Sequence, residues 1–262
     1  MEYQLTDKYG DLDSLLHRLD PRTKILTTVA FVLLVVATPP SRWQGYALCF
    51  ILVASLALLS RLPLTFILKR SLVIIPFVLV IAIFIPFFKP ASPGDTVFSL
   101  GIWLWNLSVT KSGLLTLFGV VTKAWLSVLS MILLSTTAKF SDLVKGLDKL
   151  GVPKVMVMTL SFSYRYLFVI VDELTRMRQA RDSRNFGGRW WWQMRSIGNM
   201  IGTLFIRSFE RSERVYQAMA ARGHEGEIVT LSHLRLQPID MYFGCLFISC
   251  LILIGLFSFL IA

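Results

Sequence analysis

Charge is what this chain has least of. Of its 262 residues only 16% are Asp, Glu, Lys or Arg, while 55% are apolar, and the mean hydropathy is +0.63. A soluble domain carries about 25% charged residues, so this composition places the chain in lipid as an integral membrane protein. Cysteine is scarce as well. Cys49, Cys245 and Cys250 all fall inside apolar runs, with no CxxC pair and no metal-ligand spacing, and read as lipid-facing or packed small residues. The three histidines, His17, His224 and His233, stand apart, whereas a metal site needs several donors converging. His224 beside Glu225 and Glu227 reads as a solvated helix end and not as a ligand set. With no GxxxxGK[ST] phosphate loop and no HExxH, the sequence offers no catalytic and no metal-binding residues. Met1 to Asp20 is polar and acidic and lacks the pattern of a signal peptide, so it is expected to remain in the mature protein.

What is present is a set of long apolar runs, and a helix needs about 20 residues to cross the hydrocarbon core. Five runs approach this. Ile25 to Thr38 and Trp43 to Ser60 form a hairpin about Pro39-Pro40-Ser41-Arg42; Ser71 to Phe88, Ser112 to Ala138 and Met241 to Ala262 are the others. The expected fold is therefore all-α, with about five transmembrane helices and a cytoplasmic module of long helices. The corresponding domains are 1–138 (four spans), 139–238 (cytoplasmic) and 239–262 (the last span). Between spans three and four, Ser92-Pro93-Gly94-Asp95 signals a turn, and Trp103 and Trp105 fit the membrane interface on a small hairpin.

The formal net charge of +11 does not point to nucleic acid, because the basic residues flank apolar runs and form no aromatic-interleaved patch. They report topology. With the N-terminus in the cytoplasm, segments 1–24, 61–70 and 139–238 hold 23 of the 27 Lys and Arg residues, as the positive-inside rule requires. Lys123 lies inside span four. An intramembrane cation of that kind snorkels, pairs with a carboxylate or touches a partner.

About 100 residues, 139–238, thus lie between spans four and five, and function is expected there. Ser141 opens a short helix that stops at Gly151-Val152-Pro153, and Pro153 suits the first turn of a long helix to about Arg181. Its first half, Val155 to Val171, is apolar almost all round, with Ser161, Arg165, Asp172, Arg176 and Gln179 in one polar line. That half is long enough to span, and although Arg165 within it and the charge bias oppose a crossing, a sixth span or a re-entrant segment over 155–171 stays open as the alternative. Asn185-Phe186-Gly187-Gly188-Arg189 is a linker. Trp190-Trp191-Trp192 then fits either the headgroup region or packing against the spans.

From about Ser196 the pattern becomes amphipathic. Ile201, Leu204, Phe205, Phe209, Val215, Tyr216 and Met219 occupy one arc of about 140°, with Arg207, Arg211, Arg214 and Arg222 in a stripe beside it. Gly223 is expected at the position after the helix, where glycine accepts the left-handed conformation. Arg222 on the last turn either caps its own helix through the dipole or projects to a partner. The preceding long helix also ends in Ala-Arg, at Ala180-Arg181, and two arginine-tipped helix ends suit two equivalent acidic grooves on a two-fold partner.

These features resemble the transmembrane T component of energy-coupling-factor (ECF) transporters, whose cytoplasmic coupling helices end in two Ala-Arg-Gly-type motifs. Ala221-Arg222-Gly223 matches the second motif, and Leu15-Leu16-His17-Arg18-Leu19-Asp20-Pro21-Arg22-Thr23-Lys24 resembles the family's approach to its first span. The first motif departs, being Ala180-Arg181-Asp182 with aspartate in place of glycine. Arg-Ser-Glu-Arg-Val-Tyr-Gln-Ala-Met ahead of Ala-Arg-Gly-His-Glu-Gly is most similar to the cobalt and nickel branch, the CbiQ-like proteins. The resemblance implies a non-catalytic scaffold in the cytoplasmic (inner) membrane that binds no cofactor itself. Its implied partners are two ABC-type, CbiO-like ATPase subunits carrying ATP and Mg, a CbiM-like S component that binds the substrate, and a small CbiN-like subunit. Arg181 and Arg222, with Ala180, Ala221 and Gly223, would contact the ATPases, supported by Arg207, Arg211 and Arg214.

Three other classes compete. A conventional ABC permease subunit would have its own substrate path and a single coupling loop. A lipid-modifying enzyme needs His, Asp or Glu at the membrane interface, and the five runs contain no carboxylate. A passive anchor for a soluble partner would tolerate loss of the arginine pair.

Overall fold

The computed structural model describes residues 14–40, 42–60, 62–82, 84–85, 96–102, 105–184, 190–224 and 237–260. Outside it lie the expected turn at Ser92 to Asp95, the linker 185–189, and Trp103, Glu225, Glu227 and His233. The described helices are α1 (Leu15–Arg18), α2 (Pro21–Ala37), α3 (Trp43–Leu59), α4 (Leu64–Leu72), α5 (Ile75–Ala82), α6 (Lys111–Thr137), α7 (Phe140–Lys149), α8 (Lys154–Asp182), α9 (Trp190–Ala221) and α10 (Pro238–Leu260). The architecture is that of an all-α membrane protein. Its one described departure is an antiparallel hairpin, β1 (Thr96–Ile102) and β2 (Trp105–Thr110), with Ile102 opposite Trp105 and an irregularity between Thr96 and Phe98.

Several expected boundaries move. The third apolar segment starts not at Ser71 but at Leu64, and Thr65–Ala82 is long and apolar enough to cross a membrane. By charge alone Lys69 and Arg70 are expected to end the preceding loop. They lie instead in the last turn of α4, where the helix dipole favours cations. α7 begins at Phe140, so Ser141 is not its cap; the Asp142 and Leu143 N–H groups donate to the Lys139 carbonyl. Pro153 is the N-cap of α8 and stands just ahead of its first turn. The three tryptophans are the first residues of α9, all exposed, where the amphipathic pattern alone had suggested a start near Ser196. α10 starts at Pro238, which brings Asp240 into its first turn, so one apolar helix does carry a carboxylate.

The described residues divide into two compact units, a smaller one from 147 to 224 and a larger one made of the rest. The larger unit holds the core. Tyr46, Cys49, Val53 and Ala57 of α3, Leu126, Leu129, Ile132 and Leu133 of α6, and Phe247, Leu251 and Ile254 of α10 recur every three or four residues and converge with Phe31 and Val35 of α2. The opposite faces, such as Phe50, Ile51 and Leu58 of α3, are exposed. Such faces suit hydrocarbon, which does not distinguish them from core faces by polarity; small residues mark the crossings instead.

Gly119 of α6 is one such crossing. A Cβ there would stand 2.8 Å from the Pro40 Cβ and 3.2 Å from its Cα, so a side chain would push on backbone. Gly119→Ala is expected to cost about 1 to 3 kcal/mol by overpacking, read as a lowered melting temperature of the detergent-purified protein; an unchanged value would show that the Pro39-Pro40 turn yields freely.

Lys123 finds its partner in the same region. Its Nζ donates to the Val36 carbonyl at 2.7 Å, near the C-terminus of α2. Carbonyls in a final helical turn have no intrahelical donor, and a cation there also meets the negative end of the dipole. Of the three uses expected for an intramembrane lysine, the structure supplies a fourth: it caps a neighbouring helix.

Candidate functional site

The smaller unit contains the long helices α8 and α9, neither of which has a buried residue. Over Lys154–Asp182, α8 has the length and apolarity of a span, the alternative that its sequence left open. The two helices enclose an open groove of about 670 Å³ lined by Phe162, Tyr166, Val169 and Ile170 on one wall and Leu204, Val215 and Met219 on the other. Leu204, Val215 and Met219 of the apolar arc of α9 thus face α8, while Ile201, Phe205, Phe209 and Tyr216 of the same arc are exposed.

Three members of the arginine stripe, Arg207, Arg211 and Arg214, edge this groove, and they differ. Arg207 forms an ion pair with Glu173 of α8, joining the two helices. Arg214 lies 3.9 Å from Glu210 one turn before it, an exposed pair in the favourable order of acid before base. Arg211 also lines the groove and has no partner among the described residues. Glu173 was not singled out from the sequence, where it sits beside the polar line through Asp172; only the facing of the two helices identifies it.

The tip of α9 forms as expected. Gly223 has φ +71°; its N–H donates to the Ala220 carbonyl at 3.0 Å, and the His224 N–H reaches back to the Met219 carbonyl at 3.1 Å. These two bonds make a Schellman ending, which satisfies carbonyls that would otherwise face water alone. Arg222 therefore occupies the C-cap position, exposed, with no side-chain partner among the described residues. Ala220 and Ala221 are also exposed, leaving room for close approach.

The tip of α8 differs. No glycine ends it: Ser183 is the cap with φ −66°, and its hydroxyl donates to the Ala180 carbonyl at 3.0 Å. Arg181 is engaged. Its Nε and Nη2 donate to Asp182 Oδ1 at 3.1 and 2.9 Å, and its side chain is only 24% exposed. The residue that departs from the Ala-Arg-Gly pattern is thus the one that holds the arginine.

Among the described residues no group of three or more His, Cys, Asp or Glu is placed to hold a metal ion, and the three cysteines are free.

Comparison with known proteins bears on this arrangement. A family model described as CbiQ, cobalt transport protein, matches residues 13–231. The energy-coupling factor transporter transmembrane protein EcfT of Listeria innocua is 30% identical over 273 residues, covering 99% of each chain. EcfT of Bacillus subtilis is 28% identical over 237 residues, 86% of each chain. An uncharacterized protein of Methanocaldococcus jannaschii is 31% identical over 230 residues, 85% of this chain and 75% of its own length.

Proposed function

The chain belongs to the CbiQ family of ECF transporter transmembrane T components, and on that footing we propose that it couples ATP-driven motion of two ABC-type ATPase subunits to a substrate-binding S component. The observation that carries this reading is the pair of helix ends. Two long helices without a core of their own each finish in Ala-Arg, and Arg222 stands exposed beyond a glycine-stopped tip. A guanidinium presents a planar fork of donors that matches carboxylates. Each arginine enters an acidic groove on one ATPase; closure of the nucleotide-bound pair drives the helices together, and α8 and α9 pass that motion to the S component. The T component performs no chemistry: ATP and Mg belong to the ATPases, and substrate to the S component. The family description favours cobalt as cargo, with nickel the alternative, and CbiO-, CbiM- and CbiN-like subunits as companions in the cytoplasmic membrane.

Co-purification tests the assembly. A tagged chain extracted in detergent is expected to bring two ATPase copies and a small membrane protein that binds cobalt(II). A chain that emerges alone, or with a soluble partner that is not an ATPase, would overturn the reading.

Asp182 adds a graded test. It withholds Arg181 from a partner and brings negative charge near an acidic groove, but exposed ion pairs are worth about 0.2 to 1 kcal/mol. Asp182→Asn is therefore expected to tighten ATPase binding by about two- to fivefold, measured by titrating purified ATPase onto the immobilised T component. Weaker binding would mean that Asp182 itself contacts the ATPase.

A further inference from the structure

The groove between α8 and α9 lies wholly within the smaller unit, and it combines two kinds of surface. Its walls are apolar: Phe162, Tyr166 and Val169 of α8 and Leu204, Val215 and Met219 of α9 are half-buried and face it. Its edge is cationic. Arg207, Arg211 and Arg214 recur at one-turn spacing, so their heads share one side of α9. Among the described residues that line the groove the only carboxylate is Glu173, and Arg207 takes it. The Arg214 pair with Glu210 is exposed on both sides and long at 3.9 Å, so it yields readily to a better anion. Arg211 pairs with nothing among the described residues. The groove therefore offers hydrocarbon contact beside unneutralised positive charge.

Size and surroundings decide which anionic amphiphile fits. The α8 wall runs from Thr159 to Glu173 and the α9 wall from Leu204 to Met219, so each is about 21 to 22 Å long at 1.5 Å per residue. The hydrocarbon of one leaflet is about 15 Å deep, half of the bilayer core, and a single acyl chain lies along such a wall with length to spare for its headgroup. A helix about 10 Å across would seat only one face. The apolar surface also continues beyond the groove: Leu160 and Leu167 of α8 and Ile201, Phe205 and Phe209 of α9 are exposed, and α8 is long and apolar enough to cross a membrane. Lipid covers a surface of that extent, whereas one docked helix does not. We propose that the groove holds an anionic phospholipid, one acyl chain lying along the apolar walls and the phosphate held by Arg211 with Arg214 beside it. A guanidinium meets phosphate oxygens with two parallel N–H donors, which suits this role better than a point charge would. The bound chain supplies the apolar contact that α8 and α9, with no buried residue, lack. This site needs neither the ATPases nor the cargo, so it stands apart from the coupling reading.

Photolabelling tests it on the full-length chain in vesicles of phosphatidylcholine and phosphatidylglycerol. Either lipid carries a diazirine on one acyl chain, adducts are mapped by peptide mass spectrometry, and labelling of α3 is the internal reference. Labelling of 159–173 and 204–219 is expected to be at least fivefold stronger with phosphatidylglycerol than with phosphatidylcholine, and unchanged by excess inorganic phosphate. Arg211→Gln is expected to lower that ratio about fivefold, the worth of one basic residue near anionic lipid. Val215→Trp fills the groove and is expected to reduce labelling there by both lipids. Equal labelling by the two lipids, or a preference that survives Arg211→Gln, would overturn the headgroup site. Labels confined to the other helices, or Val215→Trp labelled like the native chain, would overturn the groove. Labelling that vanishes once the ATPase and S components are bound would give the groove to a partner's helix and overturn lipid occupancy.

Discussion

Changing Arg181 and Arg222 together to alanine is expected to abolish ATP-driven uptake and to release the ATPase subunits, while the chain still inserts in the membrane. Truncating one partner of a buried charge-assisted pair costs about 2 to 5 kcal/mol, because the carboxylate left behind has lost its counter-charge. For each contact that is a loss of roughly 30-fold or more in affinity. The single changes should be unequal. Arg222 is free to bind, whereas Arg181 must first leave Asp182, so Arg222→Ala is expected to cost more. Arg222→Lys should fall between, keeping charge but losing the planar fork. Neither arginine belongs to the core, which is why folding should survive. Uptake near the native level in the double variant, measured in vesicles with cobalt(II) and with nickel(II), would refute this mechanism.

Much of this site was legible because helix endings obey local rules. Gly223 after a helical run predicts a left-handed residue, and the Schellman bonds at Met219 and Ala220 follow. Arg181 was equally visible as a residue but not as a bound one, since its contact with Asp182 depends on side-chain rotamers that spacing does not determine. Arg207 shows the same limit. A wheel places it on a stripe with Arg211 and Arg214, and only the packing of α8 on α9 shows that it faces Glu173.

In the membrane body the spans were legible as apolar runs, but their facing was not. Phe50 and Cys49 are neighbours in sequence; Cys49 is fully buried in the core, while Phe50 is exposed at its edge and stacks on Trp125. No polarity difference separates them, because lipid and core are alike in that respect. Charge misled at the boundaries. Ending apolar segments at Lys24, Arg70 and Asp240 assumes that charged residues lie in loops, yet all three are in helices, and Lys24 and Asp240 are buried. Apart from the Gln237 N–H that Asp240 caps at the start of its own helix, their partners are backbone groups of other helix ends, which no local pattern announces.

Lys24 accordingly predicts the largest stability loss in the chain. Its buried ammonium lies within reach of the charges of Asp142, Asp240 and Asp20. It supplies a positive charge amid these carboxylates, in addition to Arg22 beside Asp20 and Lys145 beside Asp142, and the donor for two helix-terminal carbonyls, those of His17 and Thr137. Lys24→Met keeps most of the side-chain volume and removes both. Deleting one member of a buried charged set costs about 3 to 5 kcal/mol, and each carbonyl left dry adds about 1 to 3 kcal/mol. The variant is expected to melt well below the native protein in detergent, or to be lost from the membrane altogether. Lys24→Arg distinguishes charge from fit. It keeps the cation and several donors but presents a wider head to a site closed by Leu16 and Thr137, so partial recovery would assign most of the loss to charge. If Lys24→Met melts with the native protein, the carbonyls of α1 and α6 have found other donors.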